Sequence, residues 1–351
     1  MSKLLTISIA AYNVEKTIEE CLDSFLPCKH LEDLEILVIN DGSHDRTVEI
    51  VSEYEKKYPS VIKLVNKENG GHGSTINKSL SLATGKFYKV IDGDDWVIPG
   101  ELDKLCDWLK STDSDLVINA FKWCYPNNPY EEHDEKGFEL HHKYTFEEMY
   151  AVHGTSTPIY PMTTITILTD KLRKVGMHIK EKCFYADNEF VVYCGMAADT
   201  ISFDNSCAYQ YRMGQPTQSV SSQGWYNHLE DYFAIFGDLL YIYAHRLEAF
   251  KGTSKDKYLI KFLESYYNGL YLNMVKNINR ADKDYLLIDN LREFNNHYPE
   301  ILHRLELNSM TARFVAKNPK SRIPFMRYFH KTMTFKILRA IKHLIKPVPQ
   351  A

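Results

Sequence analysis

Three carboxylates, Asp92, Asp94 and Asp95, close the stretch Lys89-Val90-Ile91-Asp92-Gly93-Asp94-Asp95-Trp96. An apolar strand that gives way to acids places them at its carboxyl edge, where open α/β sheets gather their ligands. Carboxylates crowded there want a cation. Asp92 and Asp94 share a face if the chain stays extended, and Gly93 between them lets a ligand come close to the backbone. Oxygen-only donors of this kind suit Mg2+ or Mn2+, which keep waters and bind through one or two carboxylates plus substrate phosphates. The competing reading is an acidic turn, with Asp95 capping a helix that starts near Pro99.

The elements that must hold these acids show as apolar runs and helical spacings. Leu4–Ala11 reads as a buried first strand and Glu15–Phe25 as a helix ended by Pro27. A second strand, Leu34–Asn40, runs into Asp41-Gly42-Ser43, and Asp45–Tyr58 is helical. Val61–Val65 is the third strand, followed by Asn69-Gly70-Gly71-His72-Gly73 and a helix through Ala83, and Phe87–Ile91 is the fourth. Strand and helix alternating at this spacing predict right-handed crossovers and an α/β fold with a mostly parallel sheet, four strand ends converging on one edge. Asp115–Asn119 gives a fifth strand, residues 122–144 an excursion or hairpin, Thr163–Leu168 an extended stretch and Ala186–Ala198 a helix. Two short strands are expected near Thr200–Phe203 and Ala208–Met213. From Trp225 onward only helical spacing recurs, so the chain is expected to divide into an α/β domain over residues 1–222 and a helical region over 223–351.

A hydrophobic fraction of 44% in 351 residues is enough for a substantial core. Seven cysteines without a C-x-x-C pair argue against a disulfide framework or a zinc site and favour a reducing interior. No secretory leader or membrane span is expected. Net charge is −4, but Leu307–Ala351 holds ten Lys plus Arg and no Asp or Glu, leaving a balance of −14 on the rest. Phe325, Phe329, Met333, Ile337, Ile341 and Ile345 fall near one helical stripe in that basic tail. Such a helix can lie on an anionic membrane surface or pack its stripe against the preceding helices. Nucleic acid is disfavoured as a partner, since the basic region has no aromatic stacking platform and the remainder is acidic.

Four motifs stand in order at the strand ends: Ala10-Ala11-Tyr12-Asn13, Asn40-Asp41-Gly42-Ser43 with Asp45, Asn69-Gly70-Gly71, and Asp92-Gly93-Asp94-Asp95. Together they resemble glycosyltransferase family 2, inverting sugar transferases with the GT-A fold, over roughly residues 3–220. The resemblance implies a nucleotide-sugar donor, in the first place a UDP-sugar, held by residues 1–120. It implies a glycan or lipid-linked acceptor approaching residues 121–222, and Mn2+ or Mg2+ held by Asp94 with Asp92 nearby or through water. Donor contacts are then expected from Ala10, Tyr12, Asp41, Asn69, Asp92, Gly93, Asp94 and Arg212.

Physical readings accompany each. The Tyr12 ring can stack on a nucleobase, while Ala10 leaves room for backbone contacts. Ionised Asp41 can accept the N–H of uracil or a ribose hydroxyl, or form an Asx-type turn with Gly42. Asn69 opens a glycine-rich segment whose backbone donors can approach the nucleotide. Phe184-Tyr185-Ala186-Asp187-Asn188-Glu189-Phe190 is similar to the family's Glu-Asp segment, which begins a helix and supplies the general base. The resemblance puts that base at Asp187 and replaces the preceding acid by Ala186; Glu189 is the rival, and both acids also suit the first turn of a helix. Tyr209-Gln210-Tyr211-Arg212 with Ser219-Val220-Ser221 looks like the family's closing strand and loop, where Arg212 pairs with the diphosphate or with an acid of the site.

The sequence departs from the family at Ile76-Asn77-Lys78-Ser79, where many members carry an Arg before the Asn, leaving Lys78 or His72 as substitutes. The resulting expectation is a metal-dependent inverting glycosyltransferase in cell-surface polysaccharide assembly, cytoplasmic and peripheral at the membrane. Two alternatives compete: a nucleotidyltransferase, which would release pyrophosphate, and a non-catalytic glycan-binding or scaffolding protein on a degenerate GT-A domain. A dinucleotide oxidoreductase is disfavoured because no G-x-G-x-x-G follows the first strand.

Overall fold

Buried aliphatic runs, alternating with helices that hide one stripe each, build a mixed sheet of ten strands in the described residues. The structure is a computed structural model describing residues 3–126, 131–133, 137–153, 160–214, 222–276, 283–307 and 314. Its first half is parallel, in the order β3-β2-β1-β4, from β1 (Leu5–Ala11), β2 (Leu34–Asn40), β3 (Ile62–Asn66) and β4 (Phe87–Asp92). The crossovers run through α1 (Ile18–Asp23), α2 (Thr47–Lys57) and α3 (His72–Leu82). In α2 the buried set is Thr47, Val51 and Tyr54, the spacing of one helix face. Register levels the strand ends, with Ala10 opposite Asp92 and Ala11 opposite Asn40, itself opposite Asn66.

Beyond β4 the sheet is mixed: β6 and β10 pair in parallel, and the other pairings are antiparallel. After β5 (Trp96–Val97), α4 (Pro99–Ser111) and β6 (Leu116–Cys124), the chain adds β7 (Glu131–His133), β8 (Lys143–Thr145), α5 (Phe146–His153), β9 (Ile165–Leu168) and α6 (Thr169–Lys174). The short β9 lies antiparallel between β4 and β6, so the strand at Leu116 does not pair directly with β4. Next come α7 (Asp187–Ala197) and β10 (Thr200–Arg212). Where two strands were expected, β10 is a single strand with a register shift against β6 between Asp204 and Tyr209. Helix α4 closes over one face with Leu102, Leu105, Cys106 and Leu109 all buried. Its first residue is Pro99 with no side-chain cap, so Asp95 does not play the capping role. All seven cysteines are buried thiols.

Two compact units result, Met1–Pro216 with Leu247–Leu259, and the described residues of Thr217–Arg246 and Ile260–Ala351. Helices α8 (Ser222–Asn227), α9 (Leu229–Phe250), α10 (Ser254–Lys276), α11 (Asp284–His297) and α12 (Pro299–Leu307) follow β10. In the second unit Tyr232 stacks on Tyr266 at 4.0 Å, and each phenol donates to the other's backbone carbonyl. No helix among the described residues is long and apolar enough to cross a membrane. The basic stretch 325–345 and the Ser219–Ser221 segment lie outside the described residues.

Candidate active site

The acid cluster is made by a turn, not by an extended strand. β4 ends at Asp92, and the Asp95 N–H returns to the Asp92 carbonyl at 3.1 Å, so Asp92 and Asp94 are not related by strand alternation. Gly93 is needed by the protein itself: its N–H bonds the Ala10 carbonyl at 3.0 Å, and a Cβ there would press to 2.8 Å on that same oxygen. The three acids then have different surroundings. Asp95 is buried, its Oδ2 accepting the Tyr209 hydroxyl at 2.6 Å and its Oδ1 the Arg212 N–H at 2.7 Å. Burial, then repulsion from Asp92 and Asp94, pushes its carboxyl far above the ordinary range. Asp92 bonds His72 Nε2 at 2.9 Å and the Tyr209 hydroxyl at 3.4 Å. Asp94 bonds no other side chain among the described residues, and burial followed by Asp92 repulsion raises its pKa.

Arg212 underpins this turn. Its Nε donates to the Asp94 carbonyl at 2.7 Å, its Nη2 to Glu20 at 2.7 Å, and its guanidinium lies 4.6 Å from the Trp96 ring. Two residues after Tyr209, in strand alternation with it, Tyr211 is half-buried, and burial followed by Asp92, Asp95, Asp94 and Asp187 drives its pKa up. The phenol therefore stays protonated, and its hydroxyl makes no hydrogen bond among the described residues. Strand alternation with Tyr209 was the sequence signal for it, and the prediction named only Arg212.

At the end of β2, Asp41 turns inward. Its Oδ1 accepts the Gly70 N–H at 2.9 Å and Lys67 Nζ at 2.6 Å, and its Oδ2 accepts the Gly71 N–H at 2.8 Å. Asn69 Nδ2 donates to the Asp41 carbonyl at 2.9 Å, and Gly42 at φ 75 leaves room for Asn69, whose nitrogen would stand 3.1 Å from an added Cβ. Asp41 and Asn69 thus shape the glycine loop, and Oδ2 keeps one acceptor direction for a ligand. Tyr12 stays 48% exposed after β1, beside Asn13 in the left-handed region at φ 54. Loop and acids meet at His72, the first residue of α3. Burial opposes its charge, but the charge and hydrogen bond of Asp92, with Asp187 and Asp94, raise its pKa on balance.

The candidate base is brought to the same place. Asp187 begins α7 and is half-buried; burial foremost, and Asp92 after the opposing pull of His72, lifts its pKa. Its neighbour Ala186 is the buried N-cap, and Tyr185 before it sits at φ 64. The rival Glu189 is 2% exposed and accepts the Lys180 N–H at 2.6 Å. Of the two substitutes for the missing Arg, Lys78 is exposed on α3, whereas His72 faces the acids. Ile76 is buried in the core.

A divalent cation fits this donor set through Asp94, a carboxylate disfavoured as a bare charge and committed to no side chain. Asp92, already engaged by His72 and Tyr209, would join it in the outer shell. No group of three or more His, Cys, Asp or Glu among the described residues forms a closed protein cage. An ion completed by waters and phosphate oxygens needs none.

The family model described as Glycosyl transferase family 2 matches residues 6–176. The chain is 37% identical over 121 residues to an uncharacterized glycosyltransferase, EpsJ, of Bacillus subtilis, covering 34% of this chain and 35% of that protein. It is 32% identical over 120 residues to the poly(ribitol-phosphate) beta-glucosyltransferase of Bacillus spizizenii, covering 34% and 19%. The match thus spans about a third or less of the length of these curated relatives. The crystal structure of S. aureus TarS 1-349 in complex with UDP-GlcNAc is similar over 93% of this chain and 89% of that one, with TM-score 0.66 and 20% identity. The chain therefore has the GT-A fold of that structure, and its residues 6–176 are similar to glycosyltransferase family 2.

Proposed function

We propose that this chain is an inverting glycosyltransferase, dependent on Mn2+ or Mg2+, that moves a sugar from a UDP-sugar to a glycan or lipid-linked acceptor in cell-surface polysaccharide assembly. The observation that carries the reading is the meeting of Asp94, the Asp41-held glycine loop and Asp187 around His72. The donor class is supported by the similarity to TarS, solved with UDP-GlcNAc, and the acceptor class by the relative named for poly(ribitol-phosphate).

In this reading the exposed Tyr12 ring stacks on the nucleobase and the free acceptor direction of Asp41 takes a base N–H or ribose hydroxyl. His72 and the protonated Tyr211 donate toward the diphosphate. Asp94, with Asp92 behind, would hold a cation that would supply positive charge where the leaving diphosphate gathers negative charge. Asp187 accepts the proton of the acceptor hydroxyl as its oxygen attacks the anomeric carbon; the bond to the phosphate oxygen breaks on the opposite face, and the diphosphate leaves with the electron pair. One such displacement inverts the anomeric centre.

A thermal-shift screen of nucleotide sugars with Mn2+, followed by product analysis with acceptor glycans, tests this. A donor at a hundred times its Kd should add about 2.7 kcal/mol of apparent stability. No response to any UDP-sugar would refute the donor class, a product with retained configuration the mechanism, and release of pyrophosphate would indicate nucleotidyl transfer. The basic stretch 325–345 supports cytoplasmic placement against anionic lipid, each cation contributing about 1 kcal/mol near such a surface. Equal binding to anionic and neutral liposomes, or no loss on deleting residues 322–351, would remove that placement.

A further inference from the structure

We propose that Asn77 and Glu189 are positioning residues that set the approach to Asp187 from helix α3; the inference rests on Asp187 being the base, as proposed above. Asn77 pairs with both backbone groups of Ile179, its Nδ2 donating to the carbonyl at 2.8 Å and its Oδ1 accepting the N–H at 2.9 Å. The same Nδ2 reaches Glu181 Oε1 at 3.2 Å. Glu189 takes the next N–H, that of Lys180, at 2.6 Å. The Lys182 N–H is taken by the Gly70 carbonyl at 2.5 Å. Three backbone donors within four residues are thus held by α3, by the first turn of α7 and by the glycine loop.

The fit is close on the α3 side. A Cβ at Gly73 would collide with the Lys180 carbonyl, and one at Gly71 would stand 3.3 Å from the Lys182 nitrogen. From this anchored stretch the chain passes through two non-glycine residues in the left-handed region, Lys182 at φ 53 and Tyr185 at φ 64, and then reaches Asp187. Left-handed residues persist where the surroundings over-determine the backbone: Gly70 holds the Lys182 N–H, Asn77 and Glu189 hold Ile179 and Lys180 just before it, and the Tyr185 carbonyl accepts from Asn188. Because Asp41 holds the N–H groups of Gly70 and Gly71, the donor loop and the base-bearing turn form one hydrogen-bonded assembly. Glu189 serves as an acceptor for a backbone N–H, a role an amide oxygen can also fill.

The test compares Glu189→Gln, Glu189→Ala and Asn77→Ala in the full chain, reading hydrogen exchange at residues 179–182 beside donor KM and kcat. Glu189→Gln should keep kcat within about threefold of wild type. The two alanine variants should exchange faster at Ile179 and Lys180 while β1 and β4 stay protected. Their kcat should fall by about 10- to 100-fold with donor KM little changed, the scale expected of a misplaced catalytic group. A Glu189→Gln variant as inactive as Asp187→Asn would make Glu189 the reacting group and overturn the proposal. So would alanine variants whose segment loosens without loss of kcat, or whose exchange is unchanged. A wild-type chain that transfers no sugar refutes the functional reading instead, and the exchange measurements still decide whether these side chains hold the segment.

Discussion

His72 Nε2 stands 2.9 Å from Asp92 Oδ1, at the residue where the glycine loop becomes helix α3. The pair divides the acids: Asp92 has a hydrogen-bonded imidazole, whose pKa it raises, and a pKa of its own held below the ordinary range despite burial, whereas Asp94 has neither. It also places a titratable imidazole at the site, which Ile76, sealed in the core, cannot do. An anion at the amino end of α3 would meet both the imidazole ring and the positive end of the helix dipole.

Asp94→Asn is expected to separate stability from turnover. The substitution removes a charge that burial and Asp92 disfavour, so the unliganded protein should gain about 1 kcal/mol, a few degrees in Tm. Metal-stimulated donor turnover should be lost. Unchanged stimulation by Mn2+ and Mg2+ would remove Asp94 from the cation site.

Asp187→Asn should bind donor as wild type does and lose about 10²- to 10⁴-fold in kcat. Burial raises the Asp187 pKa, and a base must be ionised, so activity should fall as pH drops through a value above the ordinary aspartate figure of about 3.9. That acid limb should be absent from the residual rate of the variant. A variant with wild-type kcat would show the proton goes elsewhere.

Tyr211→Phe deletes a hydroxyl that bonds nothing in the described protein, so stability should change by less than about 0.5 kcal/mol. Donor affinity should fall by about 5- to 10-fold, the worth of one hydrogen bond near 1 kcal/mol. Calorimetry with UDP reads this directly, and equal affinities would take the phenol out of the donor site.

Lys89 gives a prediction about pH. It is fully buried on β4 and donates only to neutral oxygens, Asn119 Oδ1 and the carbonyls of Thr163 and Ile165, and burial lowers its pKa to about 7. Between that value and the unfolded value near 10.4 the unfolded chain binds the extra proton, so this group makes stability rise with pH. The slope is at most about 1.4 kcal/mol per pH unit, and the cost is fully present below pH ~7. Lys89→Met should remove that slope while orphaning three acceptors. Parallel stability curves for the two proteins over this range would contradict the assignment.

Much of the donor side was legible because its signals are local. An apolar run ending in acids marks β4, and glycines mark the loop before α3. What was not legible depends on distant partners. Nothing in Asn40-Asp41-Gly42 reveals that Lys67, Gly70 and Gly71 will occupy the Asp41 carboxylate. Alternation suggested that Asp92 and Asp94 would share a face, but the hydrogen bond of Gly93 to Ala10, a neighbour across the sheet, accompanies a turn. Asp187 and Glu189 look alike in sequence, and only the fold brings the Lys180 amide to one of them. The four residues of β9 carry too short a pattern to show which strands they separate.

The register shift in β10 has a consequence for how this chain can vary. Between its paired positions Asp204 and Tyr209 the strand advances five residues, while β6 advances two, from Asn119 to Phe121. The slack is held off the ladder, with the Ser206 N–H on Asp204 and the Cys207 N–H on Glu101. A one-residue slip in a continuous ladder would turn every later side chain to the other face. Here it can be absorbed before Tyr209 and Arg212, the residues that grip the acids. Insertions and deletions near Thr200–Asp204 are thereby insulated from the site, so the base of the sheet can drift over evolutionary time while the geometry at its upper edge is inherited intact.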